Sequence, residues 1–461
     1  MKKIIIPILI GIITLPVFSQ NVLTLEKCKE LAQKNNLKMQ NAELTVEAAQ
    51  QQKKEAFTKY FPSISATGMG FATNKPMLSM EMDMAGQMQP LTDVLGPLIG
   101  WGMANGAPID PALLEAMQNQ DPTKIEALNN GIVGGVMAMQ PIFAGGQIVN
   151  GNRLAKAGVE IRQLQKQMTD KEVLLTTEQY FWQIVLLKEK LKTIDNAVVM
   201  LDRIFSDVKV SVEAGLTTRN DQLRVELEQN KLASNKLKVE NGLRILKTSF
   251  ALHIGLEIGD YDIETPNIEN TSLPAKQDNK ALLENRLEYR LLDKSVDIAK
   301  LEVKLETGKN MPSVAVGAGY QYMKFDINKS GEMKNDFGMV FAMVSVPITD
   351  WWGGSHTIKR KKIDLKIAEN TRQETSDLLL LQMQKTDNEL DEAFQQILIA
   401  KKSIISSEEN LRISNDNFSV GVTTLSDLLE AQNLVQQSHD QYTEAAALYY
   451  IKLAEYKQMS E

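Results

Sequence analysis

The sequence predicts a mixed α and β membrane protein built by internal duplication. Short strands complete a transmembrane β-barrel with those of sister chains, and a long antiparallel α-helical barrel continues it. Three observations carry this expectation. One order of landmarks occurs twice, two proline-free stretches keep a helical apolar spacing, and brief alternating stretches precede each of them.

The duplication comes first. AGLTTRNDQL at 214–223 returns as VGVTTLSDLL at 420–429, and Pro141-Ile142 returns as Pro347-Ile348, both 206 residues on. Gly145-Gly146 recurs as Gly353-Gly354 two residues out of step, and FPSISA at 61–66 matches MPSVAV at 311–316, 250 residues on. The first half therefore holds about 44 extra residues between its proline pairs. The chain divides into a leader at 1–19, a first repeat over 20–254 with an outer loop at 74–130, a linker over 255–279 and a second repeat over 280–461.

Each repeat opens on a helix, about 24–59 and 280–308. Pro62 and Pro312 end these helices, because proline disfavours the helical region in the residue before it. Strands follow. Val314, Val316, Ala318, Tyr320 and Tyr322 share one face of 313–323, while Phe337, Met339, Phe341 and Met343 share one face of 337–344. Ten or so alternating residues suit a tilted membrane strand, and a strand of a soluble sandwich reads the same way.

Beyond the two glycine pairs the period changes. Residues 147–213 and 355–419 lack proline, and Leu, Ile, Met and Val recur among Lys, Glu, Gln and Asn. At ~1.5 Å per residue such helices reach about 100 Å, which suits a coiled coil, a stalk or a tube rather than a globular core. GLTT and GVTT turns reverse them into shorter helices at about 218–254 and 424–459.

The totals narrow the class. A net charge of −7 with 24% charged residues argues against a nucleic-acid binder, and 43% hydrophobic residues exclude a mainly disordered chain. The one long apolar run, IIIPILIGIITLPVF, follows Lys2 and Lys3 and precedes a small-residue cut site after Ser19. That is a secretory signal peptide, too short for an uncleaved anchor of ~20 residues. Cys28, the single cysteine, sits past the cut and reads as a small apolar helix residue. Four strands per chain cannot close a barrel, and an open edge in lipid leaves backbone groups unpaired at several kcal/mol each. Sister chains must supply the missing neighbours.

LTLEKCKELAQKNN, YFPSIS, QPIFAGGQ with its echo VPITDWWGG, and the AGLTT and VGVTT turns together resemble the TolC-type outer-membrane efflux proteins, over nearly all the mature chain. The resemblance implies a homotrimer, a twelve-stranded barrel in the outer membrane and a helical tunnel through the periplasm. It implies a passive exit duct for efflux or type I secretion, docked to a periplasmic adaptor and an inner-membrane transporter. A periplasmic coiled-coil adaptor or structural protein is the competing reading. The strand pairs and Trp351-Trp352 count against it.

Function in such a duct rests on tips, gate and lining. Gly215, Leu216 and Thr217, with Gly421, Val422 and Thr423, form the turns; glycine ends a helix in the left-handed cap conformation, and a following threonine can cap the next helix. Thr217 or Thr218, and Thr423 or Thr424, fit that role. The resemblance makes these turns the adaptor-docking end, with Leu216 and Val422 as exposed apolar contacts. Asp221, Asp427 and Glu430 follow the turns. Acids in a first helical turn favour the helix dipole; in a symmetric oligomer they also form rings that attract cations and raise one another's pKa. The family places its closing constriction and acidic rings at matching positions. It uses a tyrosine and an arginine where this chain has Phe418 and Thr423, so its gate must be held by packing or other pairs.

Trp351 and Trp352 suit a membrane-interface belt, and Lys359-Arg360-Lys361-Lys362 suits either an anionic leaflet or a solvated helix face. MLSMEMDMAGQM, with Met103 and Met117, suits a flexible outer loop whose thioethers fill gaps, or one that handles Cu(I) or Ag(I). His253, His356 and His439 are scattered without ligand spacing, and no nucleophile–base pair or phosphate loop appears. The expectation is no enzyme, no cofactor and no resident metal.

Overall fold

Thr24 caps the first helix by accepting a hydrogen bond from the Lys27 N–H at 3.2 Å. In this computed structural model the described residues are 22–82, 84–106, 110, 112, 123–259, 261–266, 271–327 and 331–460, so the expected signal peptide at 1–19 lies outside them. The chain forms two compact units that cut across the repeats. One gathers residues up to Lys53, Leu154–Lys300 and those from Lys362 on; the other comprises Lys54–Arg153 and Leu301–Lys361.

The first unit is helical. The opening helix expected over 24–59 is two helices, α1 (Leu25–Asn35) and α2 (Leu37–Thr58). Asn36 breaks it in an extended conformation, its side chain accepting from the Lys38 N–H and donating to the His253 carbonyl, both at 2.8 Å. The helix expected over 280–308 is likewise divided, into α6 (Asn279–Leu283) and α7 (Leu287–Lys309). Between the repeats, β5 (Asp262–Ile263) pairs in parallel with β1 (Val22–Leu23), and Asp262 is held by Lys188 and Lys247 at 3.0 and 3.1 Å. Cys28 is fully buried nearby, which pushes its thiol up to about 12 and leaves it unreactive.

The long helices appear as expected: α4 (Gln147–Glu213) and α8 (Asp350–Ser419), reversed into α5 (Arg219–Ile254) and α9 (Leu425–Ser460). Ile194, Ala197, Leu201, Ile204 and Val208 are buried at alternating three- and four-residue steps, the spacing of a coiled-coil seam. They form one core with Val225 and Leu232 of α5 and Leu425, Leu428 and Leu429 of α9. Both hairpin ends therefore share a hydrophobic cluster.

The second unit is built on a sheet. Its order is β2 (Ser63–Ala72), β4 (Thr123–Ala144), β6 (Ser313–Ile327), β7 (Gly331–Ser345), all antiparallel. A fifth strand, β3 (Leu78–Met82), pairs with the segment of β4 beyond the end of β2, so the sheet stays four strands wide. Segment 74–130, expected as an outer loop, instead carries β3, helix α3 (Met84–Ala104) and the first residues of β4. The extra length between the proline pairs located this insertion but carried no information about the helix and strands it holds. Of its methionines, Met117 and the side chains of 80–88 lie outside what is described.

The glycine pairs also differ from expectation. Gly145 and Gly146 form a left-handed turn with φ of 58° and 77°, whereas Gly353 and Gly354 lie inside α8, which begins five residues before the expected 355. Their shared purpose is close approach to the end of α7. A Cβ on Gly145 would stand 2.1 Å from the Gly308 carbonyl, and one on Gly354 would stand 1.7 Å from Asn310 Oδ1.

Register assigns each strand residue to a face. On one face the row Ile64–Ala138–Ala318–Val340 is followed by Val136 with Tyr320, then Gly134 with Tyr322, then Ile132 with Lys324 and Lys334. An aliphatic band, an aromatic row and a charged rim are the depth profile of a lipid-facing barrel surface. The opposite face mixes Ser63, Ser65, Thr67, Gln321 and Asn335 with methionine and phenylalanine, the composition of a lumen.

Candidate functional site: the paired hairpin tips

Both tips are built by the same backbone code. At the first, Gly215 takes φ 72° and donates to the Val212 carbonyl at 3.0 Å, while the Leu216 N–H reaches back to Ser211 at 2.8 Å. At the second, Gly421 takes φ 77° and donates to Phe418 at 3.0 Å, and the Val422 N–H reaches Asn417 at 2.8 Å. These are Schellman closures, which satisfy the carbonyls that a helix end leaves free. In such closures the residue after the glycine usually folds back onto the helix. Here Leu216 is 81% exposed and Val422 74% exposed. Two apolar side chains are thus held out at the turns.

Thr218 and Thr424, not Thr217 and Thr423, are the N-caps. The Asp221 N–H donates to the Thr218 hydroxyl at 3.3 Å, and the Thr218 N–H donates to the Asp221 carboxylate at 3.2 Å. Asp427 and Thr424 repeat these two contacts at 3.3 and 3.0 Å respectively. Each threonine hydroxyl also donates to its aspartate at 2.7 Å. This is a reciprocal capping box with aspartate in the third position. Within the protomer the hydroxyl donors hold Asp221 and Asp427 below the usual carboxylate range, Thr218 foremost at Asp221 and Thr424 at Asp427. That is opposite in sign to the rise a ring of like charges would give.

Glu430 is exposed on α9 beside a groove of about 620 Å³ whose walls include Arg224, Lys231, Asn433 and Gln437. Phe418 packs against the shared tip core. Thr423 turns inward, its hydroxyl buried with no hydrogen-bond partner. A second groove of about 1130 Å³ brings both tips together, lined by Leu216, Thr217 and Asp221 from the first and by Gly421, Thr423 and Thr424 from the second. Arg224 of the first tip donates to the Ser426 hydroxyl of the second. Sequence reading missed that link, because nothing in either helix alone says which residue of the other it meets.

The remaining expected positions lie elsewhere in the chain. Trp352 is 80% exposed near the start of α8, while the side chain of Trp351 is outside the described residues. Lys361 of the basic run pairs with Glu302 at 2.7 Å, so it is not free for a lipid headgroup. Among the described residues no group of three or more His, Cys, Asp or Glu is placed to hold a metal, and no helix is long and apolar enough to cross a membrane.

Comparison with known proteins agrees with the fold. Residues 279–459 match the outer membrane efflux protein family. The outer membrane protein TolC of Vibrio cholerae serotype O1 (strain ATCC 39315 / El Tor Inaba N16961) is 20% identical over 306 residues, 63% of this chain and 68% of that protein. Among solved structures, CusC superposes with a TM-score of 0.73 at 12% identity, over 94% of this chain and 91% of its own. VceC, an outer membrane protein of Vibrio cholerae, superposes at 0.71 and 12% identity, over 95% and 96%. The second repeat thus matches the outer membrane efflux protein family, and the chain as a whole shares the fold of these solved outer-membrane channels.

Proposed function

We propose that this chain is one of three identical subunits of a passive outer-membrane exit duct. An adaptor of the periplasm docks at the paired tips, and an inner-membrane transporter supplies the energy for efflux or type I secretion. The observation that carries the reading is the sheet. It has a lipid-type face, yet β2 and β7 at its edges each have one strand neighbour along it. Backbone groups on those edges cannot stay unpaired in hydrocarbon, so neighbouring copies must pair β2 with β7 around a closed barrel. Three copies of a four-strand sheet give a barrel of the size the family forms.

The tips support docking because apolar Leu216 and Val422 stand outward on rigid caps, beside a groove of about 1130 Å³. Asp427 and Glu430 share a helix face and serve as rings of three carboxylates around the axis, selecting cations. Trp352, with Trp351, marks the membrane interface.

Crosslinking of the detergent-extracted protein tests the assembly: the ladder should end at three, and a water-soluble monomer without detergent would end the proposal. In planar bilayers, replacing Asp427 and Glu430 together with Ala should lower the preference for cations over anions several-fold. Unchanged selectivity would remove both residues from the conduction path.

A further inference from the structure

The lumen face of the sheet has an unusual lining, and its meaning rests on the duct reading above. Across the paired stretches of β2, β4, β6 and β7, methionine appears on one face only. Met137 and Met139 of β4 face the same way as Met339 and Met343 of β7. Met69, Met323 and Met333 join them farther along the strands, and the lipid-type face has none. Apolarity alone does not account for this segregation. The lipid face meets its need with valine, isoleucine and alanine, and methionine is not a preferred strand residue. An aqueous lumen needs polar groups, which Ser63, Ser65, Thr67, Gln321 and Asn335 supply; the thioethers are added to them.

The register lays them out in successive rows along one face, two strand spacings (about 10 Å) apart across β6. Met137 and Met339 lie in one cross-strand row on either side of Gly319, and Met139 faces Phe341 across Gly317 in the next. The glycines put no side chain between them. The Phe341 ring lies across Gly317, where a Cβ would meet it at 2.4 Å. The thioethers are also reachable: Met137 is 39% exposed and Met343 45%. No Asp, Glu, His, Cys, Lys or Arg shares this face in the paired stretches.

A neutral field of thioethers and phenyl rings offers little to a hard or borderline cation. It suits a soft one, which sulfur ligates and aromatic faces attract. We propose that Met137, Met139, Met339 and Met343 form a transit site for soft monovalent cations, Cu(I) or Ag(I), on the lumen face of the barrel. Weak neutral ligands repeated along a path suit conduction, because a soft ion held by thiolates would leave too slowly. A lining for bulky apolar molecules is the rival, since methionine-rich surfaces also accept varied apolar partners.

Titration of the detergent-solubilised protein with Ag(I) in chloride-free buffer separates the two. The M137L/M139L/M339L/M343L variant keeps the apolar surface and removes the sulfur. Ag(I) affinity should fall at least ten-fold in this variant, while partitioning of an apolar fluorescent dye stays within two-fold. Equal Ag(I) binding by both proteins would overturn the proposal, as would loss of dye without any Ag(I) site. X-ray absorption of Ag(I) on the unaltered protein covers a variant that fails to fold. Sulfur neighbours support the site, and a shell of nitrogen or oxygen alone overturns it. Potassium conductance of the unaltered protein is a separate readout: its absence would sink the duct reading whatever Ag(I) does.

Discussion

At the first tip the Thr217 hydroxyl donates to Asp221 at 2.7 Å, whereas at the second its counterpart Thr423 is buried with no partner. The two turns otherwise share their Schellman bonds, left-handed glycines and capping boxes. Local sequence repeated the backbone code faithfully after duplication, because each bond joins residues within six positions. The difference lies one step outward, where a side chain meets its surroundings. Asp221 gathers two hydroxyls and a backbone N–H, while Asp427 receives one hydroxyl and a backbone N–H. The first tip is internally complete. The second keeps an unused hydroxyl in the groove that both tips line.

The largest expected effect breaks what the tips have in common. Replacing exposed Leu216 and Val422 with Asp should reduce export in cells more than ten-fold while leaving the melting temperature within about 2 °C, since exposed positions contribute little to folding. Normal export from this variant would show that docking uses other residues. If only one of the two single changes mattered, the tips would be unequal in function as well as in bonding.

Cap removal comes next. Thr218→Ala and Thr424→Ala should each cost about 1 kcal/mol, read as faster amide exchange at the start of α5 or α9. Acid should act in the same place. Both aspartates have depressed folded-state pKa values, so their contribution is complete above the unfolded value near 3.8 and is lost as pH falls through the folded value. The additional hydroxyl on Asp221 should let the first tip hold to lower pH than the second. Exchange that accelerates at the first tip before the second would contradict this ordering.

The smallest effect is the sharpest. Thr217→Val removes a made hydrogen bond and should cost about 1 kcal/mol, whereas Thr423→Val removes a hydroxyl already buried without a partner and should be neutral or slightly stabilising. Equal losses from the two changes would mean that Thr423 does have a partner in the assembled protein.

Much of this architecture was legible in the residue order. Helix lengths and reversals followed from proline absence and glycine placement, and the caps were narrowed to one of two adjacent threonines at each turn, all decided within a turn or two of chain. Asn36 was not legible as a break: its side chain is occupied by the Lys38 N–H and by the His253 carbonyl, more than two hundred residues away. Nor was the inward turn of Thr423, since closely similar local text at Thr217 gave a different outcome.

Strand alternation was visible at once, but which face meets lipid was not. A single strand offers two faces and no way to choose between them. Only cross-strand register shows that the methionines of three separated segments lie together and that valine, tyrosine and lysine on the other side descend in order. Backbone geometry, set by neighbours a few residues apart, belonged to the sequence itself. The company each side chain keeps depends on pairing between distant segments, and that belonged to the tertiary structure.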